Sequence, residues 1–483
     1  MKIWGLVLVC LLLLGTASKD ALAEPELTSV TYTSPEGIQF ISYGSMWSVD
    51  RLEELYRVLL KCEHGEELAS LKRVLLLPEK SKGANGPRVG NYNEKEKTIR
   101  LYESDTLPLE KTLIHEYGHH FTYYWLKRQE GIFPDQLKET NVWSKLRGLG
   151  GYPVRWAGST LPDVHKWDPG EIMAEDYVML FGIGAARPPQ NPLDVIHLVR
   201  HENEYIPPVT TLPAVREYWE KAAGLPHKTL LQEPSVQELQ FTEQEGSDKL
   251  LVRFRSSDKE GIRGPIQYGL QLVAFSGDGS IPKVSKSTAV AEGKEAVECL
   301  LDWPDPLSAQ TNAYFHLTVW AYDGTARLLA QTPMYMNWYE VDNASNQLRD
   351  VPPPWEKQGL LFMLQKEGMV RWPLIHLFIN GKQQGAGTGF KEKDGTLYVP
   401  VDLIKDPGDS SPKETVIRLN SHTIRLTKGT EDEAEVDGKK VRLRRKLEKA
   451  GENVTLAAAD LGELTGMSWV WNKDLSSLDL KPQ

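Results

Sequence analysis

The feature that most restricts this chain is the run His115-Glu116-Tyr117-Gly118-His119-His120, inside Leu109–Arg128, a stretch whose pattern reads as one long helix. HExxH on a helix puts His115 and His119 one turn apart on one face, where two imidazoles can share a zinc ion. Glu116 follows the first of them around the same side. From there its carboxylate can act as general base toward a zinc-activated water and hand the proton to a leaving amine. So short a pattern arises by chance in many proteins, so its surroundings decide. Leu113, Ile114, Tyr117 and Phe121 would seat the helix in a core. Thr98–Tyr102 alternates as a strand just before it and is expected to form the upper edge of a substrate cleft. His120 points about 100° away from His119 around the helix, so it is expected to be a satisfied interior histidine and not a ligand. Gly118 costs a helix about 1 kcal/mol relative to alanine. Its expected use is to let a neighbouring segment come close beside the metal.

A catalytic zinc site takes three protein ligands and leaves a position for water. A third histidine six residues after the second is excluded, because Trp125 stands there and Thr122 stands where that longer pattern has glycine. The best source of the missing ligand is Asp168–Gly182, where Glu171 and Glu175 lie one turn apart on a helix expected to begin at Asp168-Pro169. Asp168-Pro169-Gly170-Glu171 is also a capping box, and Glu171 could be only that. Glu175 or Asp176 as the ligand is the remaining alternative.

With these residues in view, the stretch from Thr98 to Gly182 resembles the gluzincin peptidases, the clan that includes thermolysin, and within it the anthrax lethal factor-like group. The resemblance implies a zincin-like α+β domain with Glu171 as third ligand. It also implies that Glu175 accepts a hydrogen bond from the far nitrogen of His115. The group's oxyanion-stabilising tyrosine would fall near Val164 here, which leaves His165 and Tyr152 as candidates.

Around this unit the chain reads as multidomain. Residues 1–23 have the parts of a secretory signal: Lys2, the apolar run Trp4–Leu14 and the small-x-small site Ala21-Leu22-Ala23. Cys10 lies inside the apolar run and follows Val9, which argues against a lipid anchor. No later stretch approaches the roughly 20 apolar residues of a membrane helix. The α+β unit is expected over 24–230. Over 231–342 short strands with turn residues between them suggest an antiparallel β sandwich, similar in texture to fibronectin type III modules. Residues 343–359, with Pro352-Pro353-Pro354, read as a stiff linker. Residues 360–483 carry FINGK, DGTLYVPVDLI and VDGKKVRL, and resemble the small β-rich copper amine oxidase-like N-terminal or stalk domain of secreted Gram-positive proteins. His376 and His422 are too few and too scattered for a copper site.

Without its first 23 residues the chain loses Lys2, Lys19 and Asp20, so the 56 basic and 66 acidic residues become 54 and 65, a net charge of −11. That sign argues against nucleic acid as a partner. Cys62 and Cys299 are the cysteines left, and are expected to be buried free thiols. The basic run Arg442–Lys446 is balanced by Glu431–Glu435 and reads as solvated surface. The expectation is therefore a secreted or cell-wall-associated zinc endopeptidase of Gram-positive type. It would act on extracellular or cell-envelope proteins, and the C-terminal module would hold it at the wall. The competing expectation is a surface binding or adhesion protein on a metal-bound, peptidase-like scaffold. Glu116 favours the first, because a scaffold needs ligands but no general base.

Overall fold

The computed structural model describes residues 29–82, 87–161, 163–182, 201–203, 205–244, 247–257, 265–275, 283–291, 296–303, 314–342, 347–353, 374–405, 413–450 and 453–483. The leader read over 1–23 and the linker residues 343–346 and 354–359 lie outside these residues. The chain is a β-rich multidomain protein. Among the described residues no helix is long and apolar enough to cross a membrane.

The first module is a mixed sheet backed by helices. Its strands are β1 (Val30–Thr33), β2 (Gln39–Ser42), β3 (Arg73–Leu76), β4 (Gly90–Asn93) and β5 (Thr98–Leu101), in the order β1-β2-β3-β5-β4. β2, β3 and β5 run parallel, and β1 and β4 close the two edges antiparallel. A parallel pair needs a crossover, and α1 (Val49–Lys61) supplies it between β2 and β3. Ser48 caps α1 by accepting from the Arg51 N–H, and Leu52, Leu55, Tyr56, Val58 and Leu59 are buried along it.

α2 (Glu110–Glu130) packs beneath the sheet with Leu113, Ile114, Tyr117 and Phe121 all buried, as the sequence pattern requires. After a short α3 (Val142–Leu146), α4 (Pro169–Tyr177) crosses α2 and widens into a π turn over Val178–Gly182. The expected close approach occurs where these helices cross: a methyl at Gly118 would lie 2.8 Å from the Ala174 carbonyl oxygen and 3.0 Å from its Cα. α5 (Pro213–Ala223) starts on its proline and ends on Gly224 at φ 66°, the left-handed cap that glycine favours.

One expectation about this sheet is corrected. Thr98–Tyr102 does not form the edge of the cleft: β5 lies between β3 and β4, and the edge is β4. Interior strands bury both faces, and Thr98, Ile99 and Leu101 are all buried. Gly90-Asn91-Tyr92-Asn93 is short and polar, as exposed edges tend to be, and so has no apolar periodicity by which to be recognised.

The second module has β6 (Ser235–Gln244), β7 (Ser247–Arg255), β8 (Ile266–Phe275), β9 (Lys283–Ala291), β10 (Ala296–Asp302), β11 (Tyr314–Asp323), β12 (Leu328–Gln331), β13 (Trp338–Asp342) and β14 (Gln347–Asp350). They form two antiparallel sheets, β10-β7-β6 and β14-β13-β11-β8-β9, with β12 pairing β11. Leu250, Val252 and Phe254 of one sheet share a core with Leu270, Leu272, Phe315, Leu317 and Val319 of the other. Part of the stretch read as linker is therefore strand: Gln347–Asp350 pairs with β13, so the module continues past residue 342. Prolines mark where a chain stops pairing more clearly than where it starts, and the four pairing residues carry little apolar signal.

The third module has Leu374–Ile379 and Lys382–Thr388 as a hairpin around Asn380-Gly381, a hairpin over Glu433–Arg442, and a helix, Ala458–Thr465, before its last two strands. It has its own core around Ile375, Leu377, Val399, Ile417, Leu456 and Leu480.

The modules are joined by packing as well as by chain. Trp320, Tyr322, Leu329 and Tyr335 of the second module, and Leu374 and Ala386 of the third, belong to the hydrophobic core of the first. Gly269 makes room for this: a methyl there would fall 1.9 Å from the Trp320 indole. Arg327 donates to the Lys61 carbonyl at the end of α1 at 2.7 Å. Gln383 donates its side-chain N–H to the Tyr335 carbonyl at 2.9 Å and its backbone N–H to Asp350 at 3.0 Å. Cys62 and Cys299 are free and buried, as expected.

Candidate metal centre

α2 presents His115 and His119 on one face, and α4 brings Glu171 to meet them. Oε2 of Glu171 lies 3.2 Å from His115 Nε2 and 3.3 Å from His119 Nε2. A ligand atom from each of the three lies within 4.8 Å of the others, so the group could hold a metal ion. Glu171 does not complete a capping box. Asp168 caps α4 alone, accepting from the Gly170 N–H at 2.8 Å, which leaves the Glu171 carboxylate to face the histidines. Glu175, one turn on, lies 2.7 Å from His115 Nδ1, the nitrogen away from the centre. A carboxylate there fixes the ring so that Nε2 presents its lone pair to a cation. Asp176, the other alternative, is fully buried and pairs with the guanidinium of Arg147 at 2.9 Å, out of reach of the site.

The protonation pattern follows from this crowding. Burial pushes the Glu171 carboxyl up, but His119 and His115 overcome it and hold the group far below the usual carboxylate range. Burial pulls His115 down, and its hydrogen bonds with Glu171 and Glu175 more than reverse that. Burial raises the Glu116 carboxyl. Its Oε2 is sealed from solvent and has no hydrogen-bond partner. Two nitrogens and one carboxylate oxygen around a point, with an unpartnered carboxylate beside them, is a donor set suited to a divalent transition metal with an open position.

His120 is where the sequence puts it. Its Nε2 donates to the Glu67 carbonyl at 2.8 Å, and its Nδ1 lies 2.8 Å from the hydroxyl of Tyr92 on β4. Burial lowers its pKa to about 4, so it stays neutral and ties the edge strand to α2. β4 passes close to Glu116: a methyl at Gly90 would lie 2.5 Å from Glu116 Oε1.

Of the two oxyanion candidates, only His165 is at the site. It sits on the turn His165–Trp167 just before α4, with Nε2 3.3 Å from Glu171 Oε2 and 3.5 Å from Glu202. Tyr152 instead stacks on Trp167 at 6.0 Å and packs against the core. Sequence reasoning missed Tyr123, whose ring lies 5.5 Å from that of His119 and lines the same cavity. Its spacing of four residues from His119 was the available signal. Also missed was the opposite wall. The cavity, of 1860 Å³, runs from β4 and the metal residues across to Gln271, Val273, Phe275, Tyr314, His316 and Trp338 of the second module.

Comparison with known proteins finds no family model that matches this chain, no similar curated protein and no similar solved structure.

Proposed function

We propose that this protein is an exported zinc endopeptidase with a gluzincin-like centre in a zincin-like first module. The observation that carries the reading is the convergence of His115, His119 and Glu171 on one point, with Glu175 behind His115 and the unpartnered Glu116 carboxylate alongside. Bound there, zinc would lower the pKa of a water toward about 7 and polarise a substrate carbonyl. The chain's own residues would do the rest. Glu116 takes the proton of the attacking water and returns it to the leaving amine. His165, exposed at the rim, donates to the oxygen on which negative charge develops. β4, an edge strand along the cleft, offers its free backbone groups to an extended peptide, which would pair there as an added strand. A volume well above the roughly 300–1,000 Å³ of a small-molecule pocket suits a chain-like substrate. The secretory leader in the sequence makes extracellular or envelope proteins the substrate class, and the stalk-like third module would hold the enzyme at the cell wall.

The test combines metal analysis with digestion of a peptide library by the wild type and by Glu116→Gln. The expected result is about one zinc per chain in both proteins and cleavage by the wild type alone, with the variant slower by at least 10²-fold. Zinc without any cleavage that the variant spares would leave the binding-scaffold reading in its place.

A further inference from the structure

Outer faces of antiparallel sandwiches are normally polar, yet part of one such face here is not. Along β8 and β11, Leu270, Leu272 and Ala274, and Phe315, Leu317 and Val319, point into the sandwich core, so Gln271, Val273 and Phe275, and Tyr314, His316 and Thr318, point out. The strand register sets Trp338 beside His316, His316 beside Val273 and Val273 beside Val284, a row across four strands. Tyr314 lies beside Phe275 in the next row. His316 stacks on Trp338 at 4.5 Å, and Trp338 on Phe275 at 5.5 Å. All six line the cavity that contains the metal residues, and Val284 is 49% exposed. Farther along β11 the same face carries Trp320, which is buried in the first module's core. Half of the face is thus docked, and the other half stands across the cleft from the metal centre.

We propose that this overhanging half is the specificity wall of the cleft: it receives bulky apolar side chains, of the leucine and phenylalanine kind, from the peptide that lies along β4. The inference rests on the peptidase reading. A peptide in strand conformation points successive side chains to opposite sides, so residues near the scissile bond reach away from the first module into the same continuous cavity. Apolar rows and stacked rings reward apolar area and aromatic contact. A charged side chain set against Val273, Val284 and Phe275 would lose hydration without an opposite charge from those residues. The metal residues then determine that a bond is cut, and the second module determines which bond.

The test compares two peptides that differ only in phenylalanine against alanine at the position with the largest preference, measured as the ratio of their kcat/KM values in competition. In the Val273→Asp/Val284→Asp double variant this ratio is expected to fall at least tenfold. In Val290→Asp, which alters a 65% exposed valine of the same sheet outside the cavity, it should match the wild type. Fluorescence anisotropy of the two labelled peptides on Glu116→Gln protein, with and without the wall substitutions, should show the same loss of preference in binding. An unchanged ratio in the double variant, or an equal fall for both peptides, overturns the proposal. If the double variant does not fold, Phe275→Ser carries the same comparison. Failure of the peptidase reading looks different: no peptide is cut by any variant, while binding preference on the Glu116→Gln protein still decides the wall.

Discussion

Glu171 and Glu175 are the same residue type one helical turn apart, yet the geometry gives them different work. Glu171 faces both Nε2 atoms, whereas Glu175 touches only the far nitrogen of His115. Glu171→Ala should therefore lose zinc altogether. Glu175→Gln, which can still pair with the ring, should keep it with affinity reduced about 10–100-fold, as seen when carboxylates behind a ligand histidine are removed. Competition against a chelator measures both, and equal retention would contradict the division of roles. That His115 and His119 share one face was legible from spacing alone, because a helix makes neighbours of residues four apart. Glu171 was legible only as one of several acids: which carboxylate turns inward depends on how α4 crosses α2, and that angle is not written in either helix by itself.

At the scale of elements, the crossing of α2 and α4 is the joint on which the centre depends. Gly118→Ala gains about 1 kcal/mol of helix propensity but must push its methyl against the Ala174 backbone at 2.8 Å. Overpacking of this kind costs about 1–3 kcal/mol, so thermal unfolding should show a net loss of stability. Zinc affinity should drop with it, since Glu171 and Glu175 move with Ala174. A gain in stability with normal zinc binding would mean that the helices do not cross so closely. The helices themselves were readable from caps and punctuation: Asp168-Pro169 starts α4, Pro213 starts α5 and Gly224 ends it. β4 was not, because a four-residue polar edge strand owes its place to β5 and to the tie between Tyr92 and His120. The Phe275–Trp338–His316 stack was equally hidden. Alternation shows that a residue leaves the sandwich core, but not what it meets outside.

The whole molecule is sensitive at the seam between modules, and one group there reports on it. Burial pushes the Glu233 carboxyl up to about 8, its Oε1 is sealed without a partner, and its charge bears on buried Tyr335. A carboxyl whose folded pKa exceeds its unfolded value costs nothing below about pH 4.5, where both states hold the proton. Stability is then lost as pH rises from there toward 8, because the unfolded chain ionises first. Glu233→Gln should accordingly melt at the same temperature as the wild type near pH 4.5 and several degrees higher at pH 8, by calorimetry at both pH values. A wild type more stable than the variant at pH 8 would show that the carboxylate has a partner. The seam has a further consequence. Because Trp320, Tyr322, Leu329 and Tyr335 complete the core beneath α2, a fragment ending near residue 230 would carry an open hydrophobic scar. The first module is therefore expected to need at least the second beside it to fold, and the second could not be exchanged for another sandwich without rebuilding the interior of the first.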